Sequence, residues 1–319
     1  MRGAPDGNGH FRGPGQPPLR VALIGAGGML AQAVRQTAPE GIELLPFDLP
    51  AFDLTDPAGM AVALEPLRPQ LLINCAAFTR VDACESEVER AFAVNGAGPG
   101  HLAALAQRLG ATLVHLSTDF VFSGAARRPY CEEDAPGPLS VYGRSKLQGE
   151  RAVVASGLSQ YYIVRTSWLY GPGGANFVET IARLAAEREE LGIVADQQGT
   201  PTFSVDLAAA LWRLVGLRGG AAAPFGLYHY SNAGCCSWYD FACAIVEQLR
   251  ALGSPVRARQ IRPLRTAEYP VPARRPAYSV LAKDKICHHT GIHIPDWRTS
   301  LATYLRQRHD AAAQLSRGC

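Results

Sequence analysis

The sequence predicts an α/β protein: a doubly wound parallel sheet with helices on both faces, followed by a smaller mixed α/β C-terminal domain. Three observations carry this expectation. Short apolar runs alternate with helical patterns along the first half of the chain. Those runs are apolar at nearly every position, as strands buried on both faces are, rather than at every second one. A glycine cluster falls between the first run and the first helical pattern, where sheets of this kind hold a ligand. The 319 residues, 47% hydrophobic and 18% charged, suffice for a sizeable core without a metal or disulfide to hold it.

Taken in order, residues 1–18 (MRGAPDGNGHFRGPGQPP) are rich in Gly and Pro, lack the apolar stretch of a signal peptide, and read as a disordered tail. Leu19–Ile24 reads as a strand, the next segment through Gln36 as a helix, and Ile42–Phe47 as a second strand ending at Asp48. A helix at Pro57–Leu67, a strand at Leu71–Asn74, helices across Glu85–Leu109 and a strand at Thr112–Ser117 continue the alternation. A helix at Val141–Ala155 and the run Tyr161–Arg165 complete this half. Beyond about Gly171 the elements shorten, with helices at Phe177–Glu190, Ser204–Leu217 and Ser237–Leu249 and a Gly/Ala loop at Arg218–Pro224. Residues Asp284–Ile286 read as solvated surface.

The net charge of +3 comes without a long basic run, which argues against nucleic acid or a membrane surface as partner and favours a small molecule. No segment reaches the ~18 continuous apolar residues of a membrane span. Eight cysteines scattered over this length read as reduced thiols of a cytoplasmic protein. Cys287, His288, His289 and His293 fit no zinc spacing, and no metal is expected there; Cys235 and Cys236 read as packing residues.

Two constellations point to chemistry. In the first, Gly25, Gly27 and Gly28, followed by Met29 and Leu30, form a strand-to-helix turn whose N–H groups and helix dipole can hold a pyrophosphate. Asp48 ends the next strand, where a ribose-binding carboxylate belongs, so a dinucleotide in a Rossmann arrangement is the expected ligand. With Leu49 following rather than a basic residue, the pattern leans towards NADH, although an arginine such as Arg20 or Arg35 brought close in the fold would admit NADPH. In the second, Tyr142 and Lys146 stand four apart on one helix face, where an ammonium can lower a phenol's pKa and let it protonate a carbonyl receiving hydride. Eleven tyrosines and three lysines would produce this spacing by chance only about 0.1 times. Keeping a lysine here is notable, since the other basic residues are almost all arginines; a compact ammonium can reach ribose hydroxyls. Thr118, at the carboxyl end of the preceding strand, is placed either to bond the same carbonyl oxygen or simply to cap a turn.

The stretch from Arg20 to about Trp297 resembles the extended short-chain dehydrogenase/reductases, and within them the dTDP-4-dehydrorhamnose reductase family. The resemblance rests on INCAAFTRVDACES (73–86), VNGAGPGHLA (94–103), LVHLSTDFVFSG (113–124), PLSVYGRSKLQGE (138–150), VRTSWLYG (164–171), DQQGTPT (196–202) and RRPAYSVL (274–281). It implies a catalytic Thr118, Tyr142 and Lys146, with Tyr142 as the acid and Lys146 tuning it and holding the nicotinamide ribose. It further implies Asp53 and Leu54 at the adenine, Ala76 and Ala77 at the cofactor ribose, Thr79 at cofactor and sugar, Trp168 at the sugar, and Asn95 within the cofactor site as support for the helix that relays the proton. Phe120, where the family usually has tyrosine, would border the substrate with one hydroxyl fewer, and it disfavours the glutamate-assisted dehydration of related enzymes.

The implied reaction is NAD(P)H-dependent reduction of the 4-keto group of a dTDP-6-deoxy-hexulose to give dTDP-L-rhamnose, on a nucleotide-sugar substrate. Arg274 or Arg275 is expected at its diphosphate, because a guanidinium fork matches phosphate oxygens. Ala31 replaces the third glycine of the turn. Ala33 stands where some members carry a glutamate that helps bind magnesium between subunits, which implies no metal-bridged dimer and a monomer or weak homodimer. The expected division is 19–170 with 201–230 for the dinucleotide, and 171–200 with 231–319 for the substrate. Two alternatives stay open: a reductase of another dTDP-deoxysugar, and a non-catalytic regulatory subunit resembling that of methionine adenosyltransferase.

Overall fold

The computed structural model describes residues 17–317; most of the expected N-terminal tail lies outside them, as does Cys319. Six parallel strands form the central sheet: β1 (Leu19–Ile24), β2 (Ile42–Phe47), β3 (Leu71–Asn74), β4 (Thr112–Thr118), β5 (Tyr161–Thr166) and, after a long excursion, Gly226–His229. They lie in the order Gly226–His229, β5, β4, β3, β1, β2. The chain steps from β1 outward to β2 and then crosses back to β3 on the other side, so a switch point opens at the carboxyl end of β1.

The continuous apolar strands follow from this layering. On β1, Val21 and Leu23 pack with Leu30, Val34, Leu211 and Trp212 on one face. Their neighbours Ala22 and Ile24 pack with Leu72, Leu102, Leu105 and Val153 on the other. The first face is covered by α1 (Met29–Gln36) and by the helix Ser204–Leu214, whose Trp212 indole donates to the Val34 carbonyl at 3.2 Å. The second is covered by α2 (Pro57–Leu64), α3 (Gly98–Leu109) and α4 (Val141–Ala155). Ala31 is fully buried in the first of these cores. Ala33 is buried as well.

A second core joins α5 (Phe177–Glu187) with the helices Trp238–Ala251 and Trp297–Arg317, around Phe203, Phe241 and Trp297. A two-stranded parallel ribbon, Glu190–Val194 with Gln260–Leu264, borders it. Several expectations are corrected here. The helices expected across Glu85–Leu109 begin earlier and are shorter: turns at Val81–Cys84 and Val88–Ala91, a π-helical segment at Phe92–Ala97, and α3. Pro99 in the first turn of α3 has no N–H with which to extend a regular helix backwards. The helices expected to run to Leu67, Glu190 and Leu217 stop at Leu64, Glu187 and Leu214. Arg68 and Gly216 adopt left-handed conformations just beyond the first and third of these. Asp284–Ile286 is not a solvated patch: it opens the helix Asp284–Thr290, and Ile286 is fully buried. All seven described cysteines are free thiols. Among the described residues, no helix is long and apolar enough to cross a membrane, and no His/Cys/Asp/Glu group could hold a metal ion.

Candidate active site

A cleft of about 1150 Å³ runs from the glycine turn after β1, past the carboxyl ends of β3 and β4, to the second core. Gly25 sits at φ +74, and a Cβ there would lie 2.7 Å from the Ala76 nitrogen; only glycine lets the two strand ends meet. The Gly27 N–H donates to Asp48 Oδ2 at 2.6 Å, and the Leu49 N–H to Asp48 Oδ1 at 2.9 Å, which ties the end of β2 to the turn. The first turn of α1 has no side-chain cap and no acidic residue, leaving its positive end clear for an anion. Met29, Leu30, Asp48, Leu49, Asp53, Leu54, Ala76, Ala77 and Thr79 line this end of the cleft together with the glycines. A dinucleotide fits this donor set: a side-chain-free turn, an uncapped helix start and a carboxylate at the next strand end.

Asp53 turns its carboxylate to the Thr55 N–H and hydroxyl, both at 2.8 Å, so in the protein alone it caps its own turn. Asn95 does not line the cleft. It is buried, accepts from the Phe78 N–H at 2.8 Å, and donates to the Phe78 carbonyl at 3.0 Å and to Ser145 Oγ at 3.1 Å. Its placement among cofactor-contacting residues is therefore corrected: it ties the loop after β3 to α4, and its side chain is used up in doing so.

At the head of the cleft, Ser140 caps α4 by accepting from the Gly143 N–H at 3.1 Å. Gly143 has no room for a Cβ, which would strike the Phe120 carbonyl; this lets α4 press onto the turn after β4 and brings Tyr142 to Thr118. Tyr142 meets the Phe120 ring edge-on at 5.7 Å. Thr118 Oγ1 donates to Asp119 Oδ1 at 3.0 Å and accepts from the Phe120 N–H at 3.2 Å. Lys146 is buried, and its ammonium donates to the Leu116 carbonyl at 2.6 Å.

The electrostatics differ from the sequence expectation in one respect. Burial pushes the Tyr142 phenol up, with the Thr118 hydroxyl opposing the shift and the Asp119 charge adding to it. The Lys146 ammonium is turned to β4, where it bonds the Leu116 carbonyl. Burial instead brings Lys146 itself down to about 8, against the attraction of Glu150 and Cys75. Tyr142 thus remains a neutral proton donor at ordinary pH.

Trp168 lines the far side at φ +46, its indole stacked on Trp238 with ring centres 3.4 Å apart. Gly199 beside it has no Cβ, which would lie 2.5 Å from the indole. Arg275 lines the cleft while pairing with Asp82 at 2.9 Å, whereas the exposed Arg274 does not line it, so of the two alternatives for a diphosphate only Arg275 faces the cleft. Sequence reasoning missed Arg188, Trp238 and Tyr269, which line the cleft from the second half of the chain. It also missed Asp119, which is buried against the cleft with one carboxylate oxygen unpartnered. Burial pushes that carboxyl up to about 6 against hydrogen bonds from Ser279 and Thr118. Its position directly after Thr118 was the available signal.

The RmlD substrate binding domain family model matches residues 19–309. A dTDP-4-dehydrorhamnose reductase of Sinorhizobium fredii is 42% identical over 286 residues, covering 88% of this chain and 95% of its own. The spore coat polysaccharide biosynthesis protein SpsK of Bacillus subtilis is 39% identical over 293 residues, covering 92% and 99%. The crystal structure of the Bacillus anthracis dTDP-4-dehydrorhamnose reductase in complex with NADP superposes with a TM-score of 0.84 at 36% identity, covering 91% of this chain and 99% of that one. With a matching family model over nearly all of the described residues and relatives of this identity along their full length, the chain belongs to the RmlD substrate binding domain family, that of the dTDP-4-dehydrorhamnose reductases.

Proposed function

We propose that this protein is an NAD(P)H-dependent oxidoreductase that reduces the 4-keto group of a dTDP-6-deoxy-hexulose, converting dTDP-4-dehydro-L-rhamnose to dTDP-L-rhamnose. The observation that carries this reading is the convergence of Thr118, Tyr142 and Lys146 on the same cleft as the glycine turn. A reduced nicotinamide held at the carboxyl ends of β3 and β4 supplies the hydride. Tyr142 gives its hydroxyl proton to the carbonyl oxygen as that oxygen becomes an alcohol. Even a phenol raised by burial is far more acidic than an alcohol, so the transfer runs downhill. Thr118 supports the phenol and stands beside the same oxygen. Lys146, charged below about pH 8, offers its remaining N–H bonds to ribose hydroxyls and makes the pocket favourable for the phenolate left behind. The proton is then regained from solvent.

Arg275 and the Trp168–Trp238 stack are the groups we assign to the nucleotide sugar, and Asp119 to one of its hydroxyls. We infer a cytoplasmic protein acting as a monomer or weak homodimer, supported by the free thiols and by the buried Ala33. The test is a coupled assay: dTDP-4-keto-6-deoxyglucose, a 3,5-epimerase, this protein and NADH or NADPH, followed at the nicotinamide absorbance. Turnover is expected, with Tyr142→Phe lowering kcat about 10²–10⁴-fold while leaving cofactor affinity within a factor of a few. Absence of turnover by the unaltered protein with either cofactor overturns the reading.

A further inference from the structure

Behind Lys146 lies a buried ionic cluster that the proton transfer above does not use. Glu150 stands one helical turn after Lys146 on α4, on the same face, and is almost fully buried. Its Oε1 accepts from Ser117 Oγ at 2.5 Å and from Arg165 Nε at 2.8 Å, and its Oε2 accepts from Arg165 Nη2 at 2.6 Å. Arg165 in turn lies over the Phe122 ring at 5.0 Å and approaches His229 Nε2 at 3.4 Å. Ser117 follows Leu116, whose carbonyl holds the Lys146 ammonium. One carboxylate therefore ties α4 to β4 and β5 at the paired positions Ser117 and Arg165, directly after the residue that holds Lys146.

We propose that Glu150 is a positioning residue for the reaction: clamped by Ser117 and Arg165, its carboxylate keeps the Lys146 ammonium charged and seated against the end of β4. This rests on the reductase reading above, in which a cation beside the phenol is needed. The surroundings leave Glu150 as the main source of compensation. From β3 comes the Cys75 thiol, whose own pKa is pushed up to about 12 by burial and which is uncharged at neutral pH. From β4 comes His115, held neutral by burial and by Lys146. From α4 itself comes Tyr142, neutral. Beyond Glu150 stand Arg165 on β5, a second cation, and His229 on the last sheet strand, held neutral by burial at about 3. Two buried cations thus share the Glu150 carboxylate, while the other buried acid of the cleft, Asp119, lies beside Thr118 and acts on Tyr142. Removing the anion while keeping both cations leaves Lys146 to lose its proton more readily.

The chain contains only three lysines, Lys146, Lys283 and Lys285, so the ammonium can be read directly. Protein carrying ¹³Cε-labelled lysine shows three resonances, with Lys146→Met identifying one. In the unaltered protein the Lys146 resonance is expected to titrate near pH 8. In Glu150→Gln its midpoint is expected to fall by at least about one pH unit, with the basic limb of the kcat/KM profile moving down by the same amount. An unchanged midpoint overturns the proposal, and so does a shifted midpoint with an unmoved kinetic limb. If Glu150→Gln does not fold, Glu150→Asp, which keeps the charge but withdraws it by one methylene, is expected to lower the midpoint by a smaller, measurable step; no shift there overturns the proposal as well. The resonance titrates whether or not a keto-sugar is accepted, so failure of the reductase reading and failure of this one are told apart.

Discussion

Asp48 shows how a single carboxylate can set cofactor choice. Its two oxygens are engaged by the Gly27 and Leu49 N–H groups, so the side chain is a built part of the glycine turn rather than a free arm. A 2′-phosphate on the adenosine ribose would meet this carboxylate, and the arginines that line the cleft, Arg90, Arg188 and Arg275, come from other parts of it. NADH is therefore expected to be used at least as well as NADPH. Asp48→Asn, which keeps the size and can still accept one bond, is expected to shift the ratio of kcat/KM values about tenfold towards NADPH, equivalent to ~1.4 kcal/mol. An unchanged ratio would remove Asp48 from the discrimination. At this scale the sequence was legible where chemistry is written in local spacing, as for Gly25 to Gly28 or Tyr142 and Lys146. It was not legible where burial decides: burial raises the Tyr142 phenol, Lys146 bonds a strand carbonyl, and Asn95 faces Phe78. None of these follows from neighbours in the chain.

At the scale of elements, the site depends on how closely α4 can approach β4. Gly143 permits contact with the Phe120 carbonyl, and Gly149, one and a half turns on, does the same for the Asn95 carbonyl of the π-helical segment. Two glycines in a helix are individually unfavourable, by about 1 kcal/mol each relative to alanine; here they bring the helix against backbone where any Cβ would collide. Gly143→Ala is thus expected to destabilise the protein by roughly 1–3 kcal/mol in urea unfolding, despite alanine's better helix propensity, and to lower kcat more than it raises the KM for cofactor. A gain in stability would show that the contact is slack. The strands and most helices could be read because their periodicity reports burial. The π-helical segment could not, since its register follows from Asn95 turning inward. The helix Trp297–Arg317 carried a readable signal, with Trp297, Leu301, Tyr304 and Leu305 buried along one stripe, but its many charged residues obscured it.

At the scale of the whole molecule, the sequence suggested two units, and the structure interlocks them. Thr202 and Phe203 pair with Leu169 and Tyr170, placing Phe203 in the second core, and the very next residue begins the helix Ser204–Leu214, which packs on the first. The chain then returns to the sheet as Gly226–His229, leaves again, and ends in a helix whose Tyr304 bonds the Gly171 carbonyl at 3.2 Å. Neither core closes without segments delivered from the other, and the cleft is walled by both. Unfolding is consequently expected as one cooperative transition rather than two. NADH, although expected to sit mainly against the first core, should raise that single transition by about 2.7 kcal/mol at a hundredfold excess over Kd. For a monomer the midpoint is also independent of protein concentration. Calorimetry with and without NADH at two protein concentrations reads all of this. A melt in two steps, with only one moved by NADH, would mean that the second core folds alone and merely leans on the first.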